Sequence, residues 1–264
     1  LAVESLALGF VPDYTLNTTA PLGDLNQALK ASGFANASTY GWYAQTYPSK
    51  IWDGAQLLNI KDDIVASGAI LEAAVMPEEA WTGYTASNNS QAKAVAQVMK
   101  QFTDAGVTVR LRFAHEMNYY TTANGGSRYA GGPTAVADFQ EAFYQVSVAC
   151  QEIAPAVKLV YCPSMASLSE YEIWAPNAST YDYVAVDYYP TDAAAATVKS
   201  YLSTIKPFHD KFTDGTGKRF IIAEAGLHYN TTATNRVAWL QDLTSSQMKA
   251  GLPNMVSVTW YNAL

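Results

Sequence analysis

The stretch Val107-Thr-Val-Arg110-Leu-Arg112-Phe-Ala114-His115-Glu116-Met-Asn118 decides the fold. It begins apolar and β-branched and ends in His, Glu and Asn. A short apolar run bounded this way reads as a strand buried on both faces. Working outward, runs of the same kind recur at Ser5–Val11, Thr39–Gln45, Ala69–Met76, Lys158–Cys162, Tyr183–Tyr188, Arg219–Ala223 and Val256–Trp260, which makes eight strands with 107–114. Helical patterns lie between them. Asn89–Ala105 has Ala94, Val98 and Phe102 four apart, Asn89 or Ser90 as its cap and Gly106 as its stop. Thr134–Ile153 follows Pro133 and is closed by Pro155. Ala193–Phe212, with Ala193–Ala196 as its start, and Thr232–Ala250 follow the same logic. Strand and helix alternating to eight strands predicts a (β/α)8 TIM barrel, with residues 1–264 as one catalytic domain. A doubly wound open sheet needs a glycine-rich phosphate loop after its first strand, and Gly9-Phe-Val-Pro-Asp13 is not one. The chain stops at Leu264, just after the eighth strand. Either it continues, or the barrel does without its last helix.

Polar residues at the C-terminal end of a barrel strand sit where active sites are built. Glu116 is one, and Ile221-Ile-Ala-Glu224-Ala-Gly226 places a second glutamate at the end of another buried run. About 108 residues separate the two, roughly three βα units of about 33 residues each, so they belong to strands four and seven. Ends of such strands face each other across the mouth of a closed barrel. Two carboxyls about 5 Å apart are what retaining glycoside hydrolysis requires, one as acid/base and one as nucleophile. In that chemistry Glu116 keeps its proton near neutral pH and Glu224 stays ionised. Arg112, four residues before Glu116, either holds positive charge under the pair or forms a structural ion pair in the barrel.

Arg112-x-x-His115-Glu116-Met117-Asn118 resembles the R-x-x-H-E-M-N signature of glycoside hydrolase family 26, within a clan of barrel glycosidases with catalytic Glu on strands four and seven. The resemblance implies Glu116 as acid/base, Glu224 as nucleophile and His115 as a sugar contact, with Arg112 and Asn118 in the same site. Val184-Ala-Val-Asp187-Tyr188-Tyr189-Pro190 is similar to the family's strand-six end, where a Tyr hydroxyl touches the nucleophile. Tyr189 is the better match and Tyr188 the fallback. Val258-Thr-Trp260-Tyr-Asn262 resembles the clan's strand-eight Trp, a stacking floor for the sugar. The chain departs from the family after Asn118, where Tyr119-Tyr120-Thr121-Thr122 replaces a Gly and a Trp-rich stretch.

Composition narrows the partners. The 264 residues are 49% hydrophobic and carry a formal charge of −7, so a sizeable core is expected and phosphate backbones are repelled. No apolar run approaches the roughly 20 residues of a membrane span. Eighteen Tyr, nine Phe and six Trp supply flat rings for sugar stacking or core packing. Trp42 and Trp81 stand equally for sugar platforms and for packing. His228, four residues after Glu224, lines the cleft or lies on the surface. His209, His228 and His115 show no metal-ligand spacing, so neither metal nor cofactor is expected. No Gly-x-Ser-x-Gly anchors serine hydrolysis.

Five sequons, at Asn17, Asn36, Asn88, Asn177 and Asn230, and a low Lys content fit a secreted glycoprotein. Cys150 and Cys162 permit one disulfide, but a helix running down and a strand running up put them at opposite ends of the barrel wall. Two free, buried thiols are therefore expected. The combined expectation is a secreted, monomeric, retaining endo-hydrolase of a polysaccharide, first of β-1,4-mannan. β-Glucan, β-1,3-xylan and galactan stay open as substrates, as do an inverting enzyme and an inactive glycan-binding barrel.

Overall fold

A computed structural model describes residues 2–3, 6–13, 20–228 and 230–261. Asn17, Asn262 and Leu264 lie outside the described residues, as does Ser5 at the start of the first expected strand. Eight parallel strands form the wall: β1 (Leu6–Val11), β2 (Thr39–Thr46), β3 (Ile70–Pro77), β4 (Val109–Phe113), β5 (Lys158–Tyr161), β6 (Tyr183–Ala185), β7 (Arg219–Ala225) and β8 (Met255–Tyr261). Each pairs with its sequence neighbour. The sheet closes where β8 meets β1 in register from Ala7 opposite Ser257 to Val11 opposite Tyr261. The fold is a (β/α)8 barrel. Ala2–Val3 folds back as a short antiparallel strand on Leu6 and Ala7.

Every expected strand is present, with ends moved by a few residues. The helices differ more. The helix expected from Ala193 begins at Val198. Asp192 accepts the Ala195 N–H at 2.8 Å and holds the alanines in a turn, while the Thr197 hydroxyl caps Ser200 at 3.2 Å. Capping geometry thus overrides alanine's helix propensity. The single helix expected over Thr232–Ala250 is two, Ala233–Leu243 and Ser246–Gly251. The break falls where the Ser245 hydroxyl accepts the Met248 N–H at 3.1 Å and starts a new helix. Pro21–Ala31, with Leu22, Leu25 and Leu29 on one face, is a further helix; Lys61–Ser67 and Leu168–Trp174 are two more, each only seven residues long and too short for an apolar period to announce. No helix of the described residues is long and apolar enough to cross a membrane.

Side chains alternate across the wall. Outward residues such as Leu71, Leu111, Tyr161 and Ile222 join the main apolar core under the helices. Inside lies a small apolar cluster of Val160, Cys162, Ala185, Ile221 and Ala223. Beside a few further apolar residues such as Val11 and Ala74, the interior carries buried polar and charged groups, unlike the branched apolar layers common in such barrels. At the lower level Arg110 donates to Glu72 at 2.9 Å and to Ser257 at 2.7 Å. The Thr259 hydroxyl donates to Glu72 at 2.6 Å, and Thr39 and Thr259 share a 2.6 Å hydrogen bond. Gly9 lets β1 approach β2: a Cβ there would lie 2.1 Å from Thr39. Cys150 and Cys162 are both buried and unbridged, as the opposed directions of helix and strand require.

Candidate active site

Both glutamates reach the mouth through local departures from regular structure. Along β7, Ile222 pairs with Val258 and Ala225 with Trp260, so three steps on β7 match two on β8. This extra residue is a β-bulge. Ile222 and Ala225 both pack outward in the core, and strict alternation would have sent Glu224 outward too. The bulge turns Glu224 inward, where it is 6% exposed. At the end of β4, Ala114 and Glu116 both take positive φ, 50° and 53°. Non-glycine residues rarely do so, and such strain gathers at functional sites. The Glu116 N–H is fastened to the Cys162 carbonyl at 2.7 Å, which ties the ends of β4 and β5 together.

Arg112 lies below, fully enclosed. Its Nη2 donates to Glu224 at 2.8 Å, contacts Asp187, and lies 3.5 Å from the Cys162 sulfur. The Tyr189 hydroxyl donates to the other oxygen of Glu224 at 2.8 Å. Burial alone would push the Glu224 carboxyl up, but Arg112 and the hydroxyl outweigh it and hold the pKa below the ordinary value. At Glu116 the balance is reversed. Burial first, then the Glu224 charge, raise its pKa to about 7 against the pull of Arg112 and the nearby Tyr120 hydroxyl. Burial also pushes Asp187 up, against the Arg112 guanidinium that it touches. His115, 3.9 Å from Glu224, is driven down to about 3 by burial and Arg112 and is therefore neutral. Two carboxyls in one site are thereby separated into a proton donor and an anion.

A cleft of about 770 Å³ opens above them and is lined by both glutamates, His115, Tyr189 and Trp42. The other residues singled out from the sequence are not on its wall. Trp260 is 7% exposed and packs outward, because alternation along β8 sends Ser257, Thr259 and Tyr261 inward; Tyr261 takes the place expected of the tryptophan. Trp81 is buried against Tyr129 and Phe139 and donates to the Ala130 carbonyl at 3.1 Å, a core role. Tyr188 turns away from the cleft and packs edge-on to Tyr201. The Asn118 side chain brackets the Ser164 backbone, accepting from its N–H at 2.8 Å and donating to its carbonyl at 3.1 Å. It therefore positions Ser164, which does line the cleft. His228 is exposed on the loop after β7, where its ring accepts the Asn230 N–H at 3.3 Å.

The wall includes residues with no motif to announce them: Tyr43, Gln45, Met76, Gln56, Tyr119, Tyr120, Arg128 and Tyr261. Period-two counting from Gly41 would have found Tyr43 and Gln45 on the inner face. Arg128 has no such signal, since it arrives on a long loop. The donor atoms of His115, Asp187 and Glu224 lie within 4.8 Å of one another, but both carboxylates are already engaged by Arg112.

No protein-family model and no curated protein sequence matches the chain. Solved structures do. The catalytic domain of a Bacillus sp. JAMB-750 endo-β-1,4-mannanase of glycoside hydrolase family 26 is 14% identical over 98% of this chain and 77% of its own, with a TM-score of 0.65. A double mutant of the Cellulomonas fimi endo-β-1,4-mannanase is 16% identical over 86% of this chain, with a TM-score of 0.62. This chain spans only 58% of that protein's length. A fungal β-1,4-galactanase is 14% identical over 98% of this chain and 89% of its own, with a TM-score of 0.64. The barrel expected from the family 26 resemblance is thus the fold these proteins share with this chain.

Proposed function

We propose that this chain is the catalytic domain of a secreted, monomeric, retaining glycoside hydrolase that cuts within a β-glycan chain, with β-1,4-mannan as the first substrate. The observation that carries the reading is the pair of carboxyls in one cleft with opposed proton affinities, Glu116 raised to about 7 and Glu224 lowered. The Glu224 carboxylate attacks the anomeric carbon. Glu116 gives its proton to the departing glycosidic oxygen as that bond breaks, leaving a glycosyl ester on Glu224. Glu116, now ionised, takes a proton from water, which attacks the same carbon and frees Glu224. Arg112 and Tyr189 orient the nucleophile, and neutral His115 is free to hydrogen-bond a sugar hydroxyl. Trp42, Tyr119 and Tyr261 offer aromatic faces to the pyranose rings.

A β-1,4-galactan is the second reading, supported by a galactanase of nearly the same length as this chain. Two intact, differently tuned glutamates argue against a barrel that only binds glycans. Exposure of Asn88, Asn177 and Asn230 fits sequons open to N-glycans on a secreted protein, while Asn36 is half-buried. A panel of polysaccharides with reducing-end detection, run beside Glu224→Ala, tests the activity. Proton NMR of the first-formed anomer tests retention. Inversion, or full activity in Glu224→Ala, would overturn the assignment.

A further inference from the structure

The part of the cleft wall supplied by β2 carries a hydrogen-bonded group outside every motif. The backbone N–H of Gln45 donates to Gln56 Oε1 at 2.9 Å. A backbone N–H can only donate, so the carbonyl end of the Gln56 amide is fixed there, and its Nε2 turns to donate to Gln45 Oε1. Gln45 Nε2 is left with the Met76 sulfur, a weak acceptor 3.8 Å away. The Trp42 indole N–H donates to the Gln56 backbone carbonyl at 3.1 Å, so one residue holds both the ring and the amide pair. All four residues line the cleft. Each amide still has an N–H and a carbonyl lone pair to offer.

The loop that presents Gln56 is fixed in advance. Gln91, a buried side chain of the helix Ser90–Asp104, accepts the Trp52 N–H at 2.9 Å and donates to the Tyr47 and Lys50 carbonyls at 2.9 and 2.6 Å. Gly54 takes a φ of 74° where a Cβ would lie 2.5 Å from Val98, and Asp53 accepts the Ala55 N–H at 3.0 Å. The single turn Ala55–Leu58 then carries Gln56 to the rim. A line of rings joins this rim to the nucleophile. Tyr189, which donates to Glu224, packs edge-on to Tyr261 at 6.1 Å, and Tyr261 packs edge-on to Tyr43 at 6.2 Å. Gln45 follows two residues later on the same face of β2, about 6.6 Å farther out.

We propose that Trp42 and the Gln45–Gln56 amide pair form a subsite for the neutral pyranose one place beyond the sugar that bonds to Glu224, on the side that does not depart, and that the amide pair selects this sugar by its adjacent hydroxyls. The ligand class rests on the glycosidase reading; the amide pair itself is a property of the folded chain. Each hydroxyl of a pyranose both donates and accepts, so two neighbouring hydroxyls match the paired N–H and lone pair of an amide. Polar groups held in one orientation before the ligand arrives lose little freedom on binding, and they discriminate against a sugar whose hydroxyls point elsewhere.

Trp42 reports on this subsite, because the other five tryptophans, Trp52, Trp81, Trp174, Trp239 and Trp260, are buried. Glu224→Ala protein, which binds without turnover, is titrated with the β-1,4-linked hexaoses of mannose, galactose and glucose by calorimetry and by tryptophan emission. The preferred hexaose should change the emission saturably, and Trp42→Phe in the same background should abolish that change. Gln56→Ala should weaken binding of that hexaose by about three- to tenfold and narrow the preference among the three. Gln45→Ala should weaken it by less, since the Gln45 backbone N–H still holds Gln56. With Glu224 intact, the Gln56→Ala loss on the polysaccharide should fall on KM rather than kcat. A hexaose that binds without moving the Trp42 emission, a Gln56→Ala affinity within about twofold of the parent, or no binding of any hexaose overturns the subsite. Hydrolysis of no glycan by the wild type, with a hexaose still bound through Trp42, overturns the glycosidase reading alone. If Gln56→Ala does not fold, Trp42→Phe and Gln45→Ala decide.

Discussion

Replacing Arg112 by Gln should cost this protein more stability at pH 8 than at pH 5. The guanidinium is enclosed and touches both Asp187 and Glu224, which are 2% and 6% exposed. Removing one partner of a buried ion pair costs about 3–5 kcal/mol, because the remaining charge is stranded away from water. For a chain of this size about 2–4 °C of Tm follows each kcal/mol, so Tm should fall by about 6–20 °C. The pH dependence follows from the sign of each shift. In the native protein the Glu224 pKa is depressed, so its ion pair stabilises the fold above the unfolded carboxylate pKa and is lost as the pH falls. In the variant burial is opposed by the remaining hydroxyl donor of Tyr189 but no longer by a guanidinium, and the pKa rises above the unfolded value. The penalty is then full at alkaline pH and fades as the pH falls through the raised pKa. Urea denaturation at pH 5 and pH 8, followed by tryptophan fluorescence, measures both effects. A variant within about 1 kcal/mol of the wild type at pH 8, or one more impaired at pH 5, would refute the reasoning.

Hydrolysis of the true substrate should follow a bell in pH, falling above about 7 as Glu116 loses its proton and falling in acid as Glu224 gains one below its lowered pKa. A kcat/KM profile that still rises between pH 7 and 9 would exclude Glu116 as the acid. Glu224→Ala should lower turnover by several orders of magnitude, with no trapped glycosyl intermediate by mass spectrometry. The carboxyl oxygens of Glu116 and Glu224 should lie about 5–5.5 Å apart in a crystal structure, since a gap beyond about 8 Å fits inversion instead. Alkylation of unreduced, unfolded protein should label both Cys150 and Cys162; a bridged peptide in the mass spectrum would mean that the wall between residues 134 and 162 is misread.

Much of this barrel was legible because parallel strands buried on both faces must be short apolar runs, and eight of them stand out between polar loops. The glutamates were legible because charge at the end of such a run is unusual. What alternation hides is parity. Trp260 and Tyr261 are equally plausible floors until one knows that Ser257 and Thr259 point inward. A bulge is invisible for the same reason: nothing in Ile222-Ala-Glu224-Ala announces that one residue is extra, yet that residue aims Glu224. Helix breaks at Thr197 and Ser245 depend on a hydroxyl choosing the backbone over solvent, a contest settled by its neighbours. Arg128 lay beyond reading because loop contacts such as Arg128 to Glu78 join residues 50 apart with no repeating pattern.

The hydrogen bonds of the lower interior level have a consequence for how this chain can be divided. Glu72 and Arg110 belong to β3 and β4, but the hydroxyls that complete them, Ser257 and Thr259, arrive on the last strand, 147 and 187 residues away in sequence. A half-barrel ending after β4 would hold the Arg110 guanidinium and the Glu72 carboxylate without the two hydroxyls that complete their hydrogen bonds. A slip of β8 by one residue would turn both hydroxyls to the outside. Closure of this wall is therefore all-or-none. The N-terminal half should not persist as an autonomous module, and pieces exchanged with other barrels would have to carry Thr39, Glu72, Arg110, Ser257 and Thr259 together.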